Sequence, residues 1–123
     1  MEIVTTDKAP AAIGPYSQAI KSKGFLFASG QIPVIPATGE IDGNSIETQA
    51  ERVMKNVESI LTAAGSDFQH VVKTTCFLAD MNDFAAFNAI YAKYFTGKPA
   101  RSCVAAKALP KGVLCEVELI AEV

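Results

Sequence analysis

The chain has 123 residues, half of them apolar and 20% charged, with a formal net charge of −2. That length fits one domain, 1–123, able to bury about two thirds of its surface, and an apolar content slightly above the usual tilts it toward an oligomer. The acidic balance argues against docking along a phosphate backbone by electrostatics, and no apolar run reaches the ~20 residues of a membrane span.

From the amino terminus, Met1–Lys8 shows no basic stretch followed by an apolar run, so no signal peptide is expected and the protein is read as cytoplasmic. Ala9-Pro10 through Gly14-Pro15-Tyr16 forms an extended, proline-stiffened segment. Strands are predicted at Ser17–Lys21 and Phe25–Ser29, with Lys23-Gly24 turning between them. A loop runs from Gly30 to Asn44. Ser45 then caps a helix whose apolar residues Ile46, Ala50, Val53, Met54, Val57, Ile60, Leu61 and Ala64 recur at helical spacing, and Gly65 takes the C′ position. Val71–Leu78 is β-branched and aromatic enough for a strand. Asn82 or Asp83 caps a second helix with Phe84, Phe87, Tyr91, Tyr94 and Phe95 on one stripe, ending at Gly97. The chain closes on a predicted β-hairpin in which Arg101–Ala108 and Val113–Val123 flank the turn Leu109-Pro110-Lys111-Gly112. The order ββαβαββ predicts an α+β fold: one mixed sheet with two helices packed on one face.

In the last strand Cys115, Val117, Leu119, Ala121 and Val123 are apolar at alternate positions, and Glu116, Glu118 and Glu122 occupy the other set. A hairpin centred between Pro110 and Lys111 sets Glu116 opposite Ala105 and Glu118 opposite Cys103. Arg101, Cys103, Glu116 and Glu118 then share the face turned away from the helices. This cluster reads either as a solvated Arg–Glu pair contributing little or as a functional site. The three cysteines Cys76, Cys103 and Cys115 lack C-x-x-C spacing and read as reduced thiols. His70 and Cys76 lie about 20 Å apart on one strand, too far for a dyad, and the single histidine leaves no metal site and no Ser-His-Asp triad.

Five segments resemble the reactive intermediate deaminase (Rid) family, and its RidA subgroup in particular: Ala9-Pro-Ala-Ala-Ile-Gly-Pro-Tyr-Ser17, Ala28-Ser-Gly-Gln-Ile-Pro33, Val72-Lys-Thr-Thr75, Pro99-Ala-Arg-Ser-Cys-Val104 and Leu114-Cys-Glu-Val-Glu118. They occur in order along nearly the whole chain. The resemblance implies a chorismate-mutase-like homotrimer with a sheet-lined core, helices outside and three clefts between subunits. It implies hydrolysis of enamine and imine intermediates such as 2-aminoacrylate and 2-aminocrotonate to 2-keto acids and ammonia, with no cofactor and no metal. By the same resemblance Arg101 binds the substrate carboxylate, and its planar fork suits that role. Glu116 positions water and moves protons, Tyr16 walls the pocket, Gly30 and Cys103 meet the substrate through their backbones, and Asn88 joins from the second helix. The loop Thr96-Gly97-Lys98 is short, and many relatives place an aromatic beside the following proline, so substrate size preference is open. Two other functions fit such a chain: an RNA-cleaving or translation-inhibiting protein, which calls for basic or aromatic platforms and is weighed against by the acidic pI and the lack of a Lys/Arg cluster, and a non-catalytic regulator binding small keto acids.

Overall fold

Local signals shape most of the elements in the computed structural model, which describes residues 1–123. Strand β1 (Glu2–Val4) leads into β2 (Ala19–Ser22) and β3 (Phe25–Gln31). The β2–β3 turn has both central residues left-handed, Lys23 at φ 57° and Gly24 at φ 84°, the geometry of a tight two-residue hairpin. Helix α1 (Ile46–Ala63) opens where the Ser45 hydroxyl accepts from the Thr48 N–H at 3.2 Å. It closes where Gly65, at φ 78°, lets the Ser66 N–H reach the Leu61 carbonyl at 2.8 Å and its own N–H reach Thr62 at 3.0 Å. The predicted apolar stripe of α1 is buried in full. Strand β4 (Val71–Leu78) has the predicted bounds.

Helix α2 (Phe84–Tyr94) follows a short 3₁₀ turn at Met81–Asp83, which Asp80 caps, and it stops three residues before the expected Gly97. Strands β5 (Ala100–Ala105) and β6 (Cys115–Glu122) complete a single mixed sheet of order β1-β2-β3-β6-β4-β5, with both helices on one face. The element order is thus βββαβαββ: the three-residue β1, with only Val4 buried, carried too little pattern to be expected.

The predicted closing hairpin does not form. β5 pairs with β4 in parallel, across the α2 crossover, and β6 pairs antiparallel with β3 on one side and β4 on the other. Burial explains the choice. β6 buries Cys115, Val117, Leu119 and Ala121 and so belongs in the sheet centre, whereas β5 buries none of its residues fully and takes the edge. The turn at Leu109–Gly112 is present, but it lies within a longer connection between strands that are not neighbours.

This topology reassigns the faces. Paired residues on adjacent strands point to the same side, and the pairs are Thr74 with Arg101, Cys76 with Cys103, Thr75 with Glu118 and Phe77 with Glu116. Arg101 and Cys103 therefore face the helices, while Glu116 and Glu118 lie on the open face. The expected cluster of all four on one face is overturned, because it depended on β5 and β6 being partners.

Buried amides organise the irregular first third. Gln18 accepts from the Thr6 N–H at 2.7 Å and donates to the Pro10 carbonyl at 2.8 Å, which fastens the proline-rich segment carrying Tyr16. Asn56 of α1 donates to the carbonyls of Ile32 and Val34 at 3.0 and 2.9 Å, fixing the chain as it leaves β3.

Candidate active site

Arg101 is seated by one stripe of α2. Phe84, Asn88 and Tyr91 stand at i, i+4 and i+7, so a single helix face presents all three. The Arg101 Nη1 donates to Asn88 Oδ1 at 2.6 Å, and its Cζ lies 4.7 Å from the Tyr91 ring centre and 5.5 Å from that of Phe84. Two aromatic faces below and an amide at one end hold the planar fork in a fixed plane. The seat is itself anchored: Tyr91 Oη is 2.8 Å from the hydroxyl of Thr74, which is fully buried, and the Tyr91 ring stacks on Phe95 at 4.4 Å.

None of the four ion pairs of the protein involves Arg101. A guanidinium that is desolvated on one face and unpaired with any carboxylate is able to receive an anion brought from outside. It opens onto a groove of 650 Å³ between α2 and the start of β5.

Cys103 is half-buried beside Arg101, and its strand partner Cys76 is fully buried. Burial pushes the Cys76 thiol up to about 12, with the neighbouring Cys103 adding to the effect, and burial likewise holds Cys103 above its ordinary value. Cys115 is raised to about 12 by burial. All three are thiols rather than thiolates at neutral pH, so none has the character of a nucleophile.

A second group assembles on the open face around Glu116. In β3, Ala28 pairs with Leu119 and Gln31 with Val117, so Ser29 and Gly30 together oppose the single Glu118, a β-bulge. The Glu116 carboxyl lies on the backbone of Gly30: a β-carbon there would stand 2.9 Å from Glu116 Cδ and 3.1 Å from its Cγ, closer than van der Waals contact. Gly30 is required for that approach and not for its φ. Glu116 is half-buried, and burial raises its carboxyl above the ordinary glutamate value, with the charge of Glu118 adding to it. Glu118 itself is exposed. Tyr16 is 54% exposed and borders, with Gly30 and Lys111, a separate groove of 420 Å³.

The six expected site residues thus divide between two places: Arg101 with Asn88 and Cys103, and Glu116 on Gly30, which also borders the groove that Tyr16 lines. β5 lies two strands from β6, about 10 Å, and Arg101 is three residues along β5 from Val104, which is in line with Glu116 through Phe77, a further ~10 Å. With the sheet between them, the groups cannot both touch one small molecule bound to one chain. His70 takes no part; its Nδ1 is 2.7 Å from Asp67 Oδ1 at the start of β4.

Phe84, Tyr91 and Thr74, which build the Arg101 seat, were read from sequence only as core or strand residues. The signal that could have found them is the 84/88/91 spacing, which aligns two aromatics with the polar Asn88 on an otherwise apolar stripe.

The family whose model is described as Endoribonuclease L-PSP matches residues 6–123. A mouse protein, 2-iminobutanoate/2-iminopropanoate deaminase, is 47% identical over 121 residues, covering 98% of this chain and 90% of the mouse protein. This chain is a member of the Rid family. Another Rid relative, named as a candidate regulator, AldR, from Lactococcus lactis, is 59% identical over 100% of this chain and 98% of its own length. Among solved structures, that of Escherichia coli TdcF with bound serine superposes with a TM-score of 0.95 at 42% identity, over 100% of this chain and 99% of that one. The Rid fold is therefore this chain's fold, and no helix in it is long and apolar enough to cross a membrane.

Proposed function

We propose that this Rid protein hydrolyses small 2-imino acids, including the tautomers of 2-aminoacrylate and 2-aminocrotonate, to 2-keto acids and ammonia. The observation that carries the reading is the seated, acid-free guanidinium of Arg101, a receptor for the α-carboxylate common to these compounds. The name of the mouse relative gives the same chemistry, and the serine bound to E. coli TdcF is an amino acid carrying such a carboxylate.

The separation of the two groups makes a single-chain site unworkable, so the site is completed between copies. The open sheet face leaves Phe27 and Val104 exposed by 46% and 48%, an apolar surface that a homotrimer would cover. Arg101, Asn88 and Cys103 of one copy then meet Tyr16, Gly30 and Glu116 of the next.

The chemistry needs no further group. An enamine takes a proton on carbon to become the iminium, whose carbon is electrophilic. Ionised Glu116 removes a proton from water as its oxygen bonds to that carbon, giving a carbinolamine. The protonated Glu116 gives the proton to nitrogen. The C–N bond breaks, ammonia departs, and loss of the hydroxyl proton leaves the keto group. A carboxyl raised toward neutrality by burial serves both directions better than an ordinary glutamate.

The test is release of ammonia and 2-keto acid from 2-aminoacrylate generated in the cuvette, with and without the protein. Acceleration that depends on protein concentration supports the reading. Equal rates with and without it, alongside binding of keto acids, would favour the regulator reading suggested by the name of the Lactococcus relative.

A further inference from the structure

Arg101 is not the only cation on its groove. Lys98, in the loop from α2 to β5, borders the same 650 Å³ space, and no Asp or Glu lines it. Lys98 is exposed and takes part in none of the four ion pairs. Two unpaired positive charges thus share one small concavity.

The loop fixes the backbone from which the Lys98 side chain projects. Lys98 has a left-handed backbone, φ 53°, sparsely populated for a residue with a β-carbon, and Pro99 follows it directly. Its N–H donates to the Phe95 carbonyl at 3.1 Å, while the preceding Thr96 hydroxyl is bonded by the side chain of Gln69. A sparsely populated backbone conformation held by these bonds sets where the Lys98 side chain leaves the loop, on the rim of the Arg101 groove.

Resting on the reading of Arg101 as the α-carboxylate anchor, we propose that Lys98 receives a second anionic group, and that the preferred substrates are imines of dicarboxylic amino acids. In the groove of one chain, which no acidic side chain lines, a monocarboxylate neutralises one of the two cations and leaves the other without a partner. A 2-imino dicarboxylate neutralises both. The reaction is unchanged: water adds to the imine carbon, ammonia leaves, and a 2-keto dicarboxylic acid is the product. Because Lys98 is exposed, its contribution is modest and weakened by salt.

The experiment compares two imines generated in place by amino-acid oxidases, one from aspartate and one from alanine, at low ionic strength. The specificity ratio is kcat/KM for the aspartate-derived imine over that for the alanine-derived one. It is expected to fall about fivefold in Lys98→Ala and further in Lys98→Glu. It should also fall in the unaltered protein as salt rises toward 0.5 M. As a readout independent of turnover, oxaloacetate should compete better than pyruvate for the unaltered protein, and this advantage should shrink in Lys98→Ala. An unchanged ratio and an unchanged order of inhibitors in Lys98→Ala, with both reactions still dependent on Arg101, would overturn the assignment of Lys98 alone. Reactions indifferent to Arg101→Lys would overturn the anchor and this proposal together.

Discussion

The two faces of the sheet at its functional end differ in how finished they are. On the helix-covered face the Arg101 seat is complete within one chain, with two rings, an amide and a buried Thr74–Tyr91 hydroxyl pair beneath it. On the open face Glu116 rests on Gly30 with exposed Phe27 and Val104 nearby, a surface awaiting a cover. The binding half of the proposed site is thus built within one chain, while on the proposed homotrimer the proton-handling half would be completed by a neighbour.

The largest expected effects come from removing either half. Glu116→Ala should lower turnover by at least ~100-fold with little change in melting temperature, and Arg101→Lys should lose most activity while staying folded, since a point charge cannot replace a fork held in a plane. Steady-state kinetics with circular dichroism checks both. Glu118→Ala should do much less, because Glu118 is exposed whereas Glu116 is half-buried on Gly30. Equal losses for the two glutamates would erase the distinction between them.

Gly30→Ala is next in size. The added methyl must displace the Glu116 carboxyl or open the bulge, so kcat should drop by roughly tenfold or more while affinity for a keto-acid product, set by Arg101, changes little. A parallel loss of product affinity would show that the halves are not separable in this way.

The smallest effect is in pH dependence. Burial first and Glu118 second hold the folded Glu116 above its unfolded value, so the protonated form stabilises the fold at low pH and that contribution is lost as pH rises through the raised folded value. Activity runs the other way, because the attacking step needs the carboxylate: the acid limb of kcat/KM should lie above the ordinary glutamate range. Glu118→Gln removes the second cause, and the limb should move to lower pH. A limb unmoved by Glu118→Gln and equally present in Glu116→Gln would belong to another group.

Sequence disclosed what is set locally. Ser45, Gly65 and the Lys23-Gly24 turn fixed their elements because caps and tight turns are decided within a few residues, and β4 was delimited by its own β-branched run. Alternation along β6 correctly separated its buried residues from its glutamates, for that needs no knowledge of a partner. Which strand lies beside it does need that knowledge. β6 sits between strands distant in sequence, and nothing within residues 100–122 says that β5 pairs with β4 instead. Arg101 and Cys103 were placed on the wrong face for this reason alone. The motifs contain Tyr16, Gly30, Arg101, Cys103 and Glu116 but not Asn88, and the division of these residues between two faces is a consequence of topology.

Mixing two inactive proteins tests the division between copies most directly. Arg101→Ala and Glu116→Ala chains, each with a different affinity tag, are co-expressed and the doubly tagged assemblies purified. If each site takes Arg101 from one copy and Glu116 from the next, every doubly tagged trimer restores about one of its three sites, and 2-aminoacrylate deaminase activity should return toward that fraction. Doubly tagged assemblies as inactive as either parent would contradict a site shared between subunits.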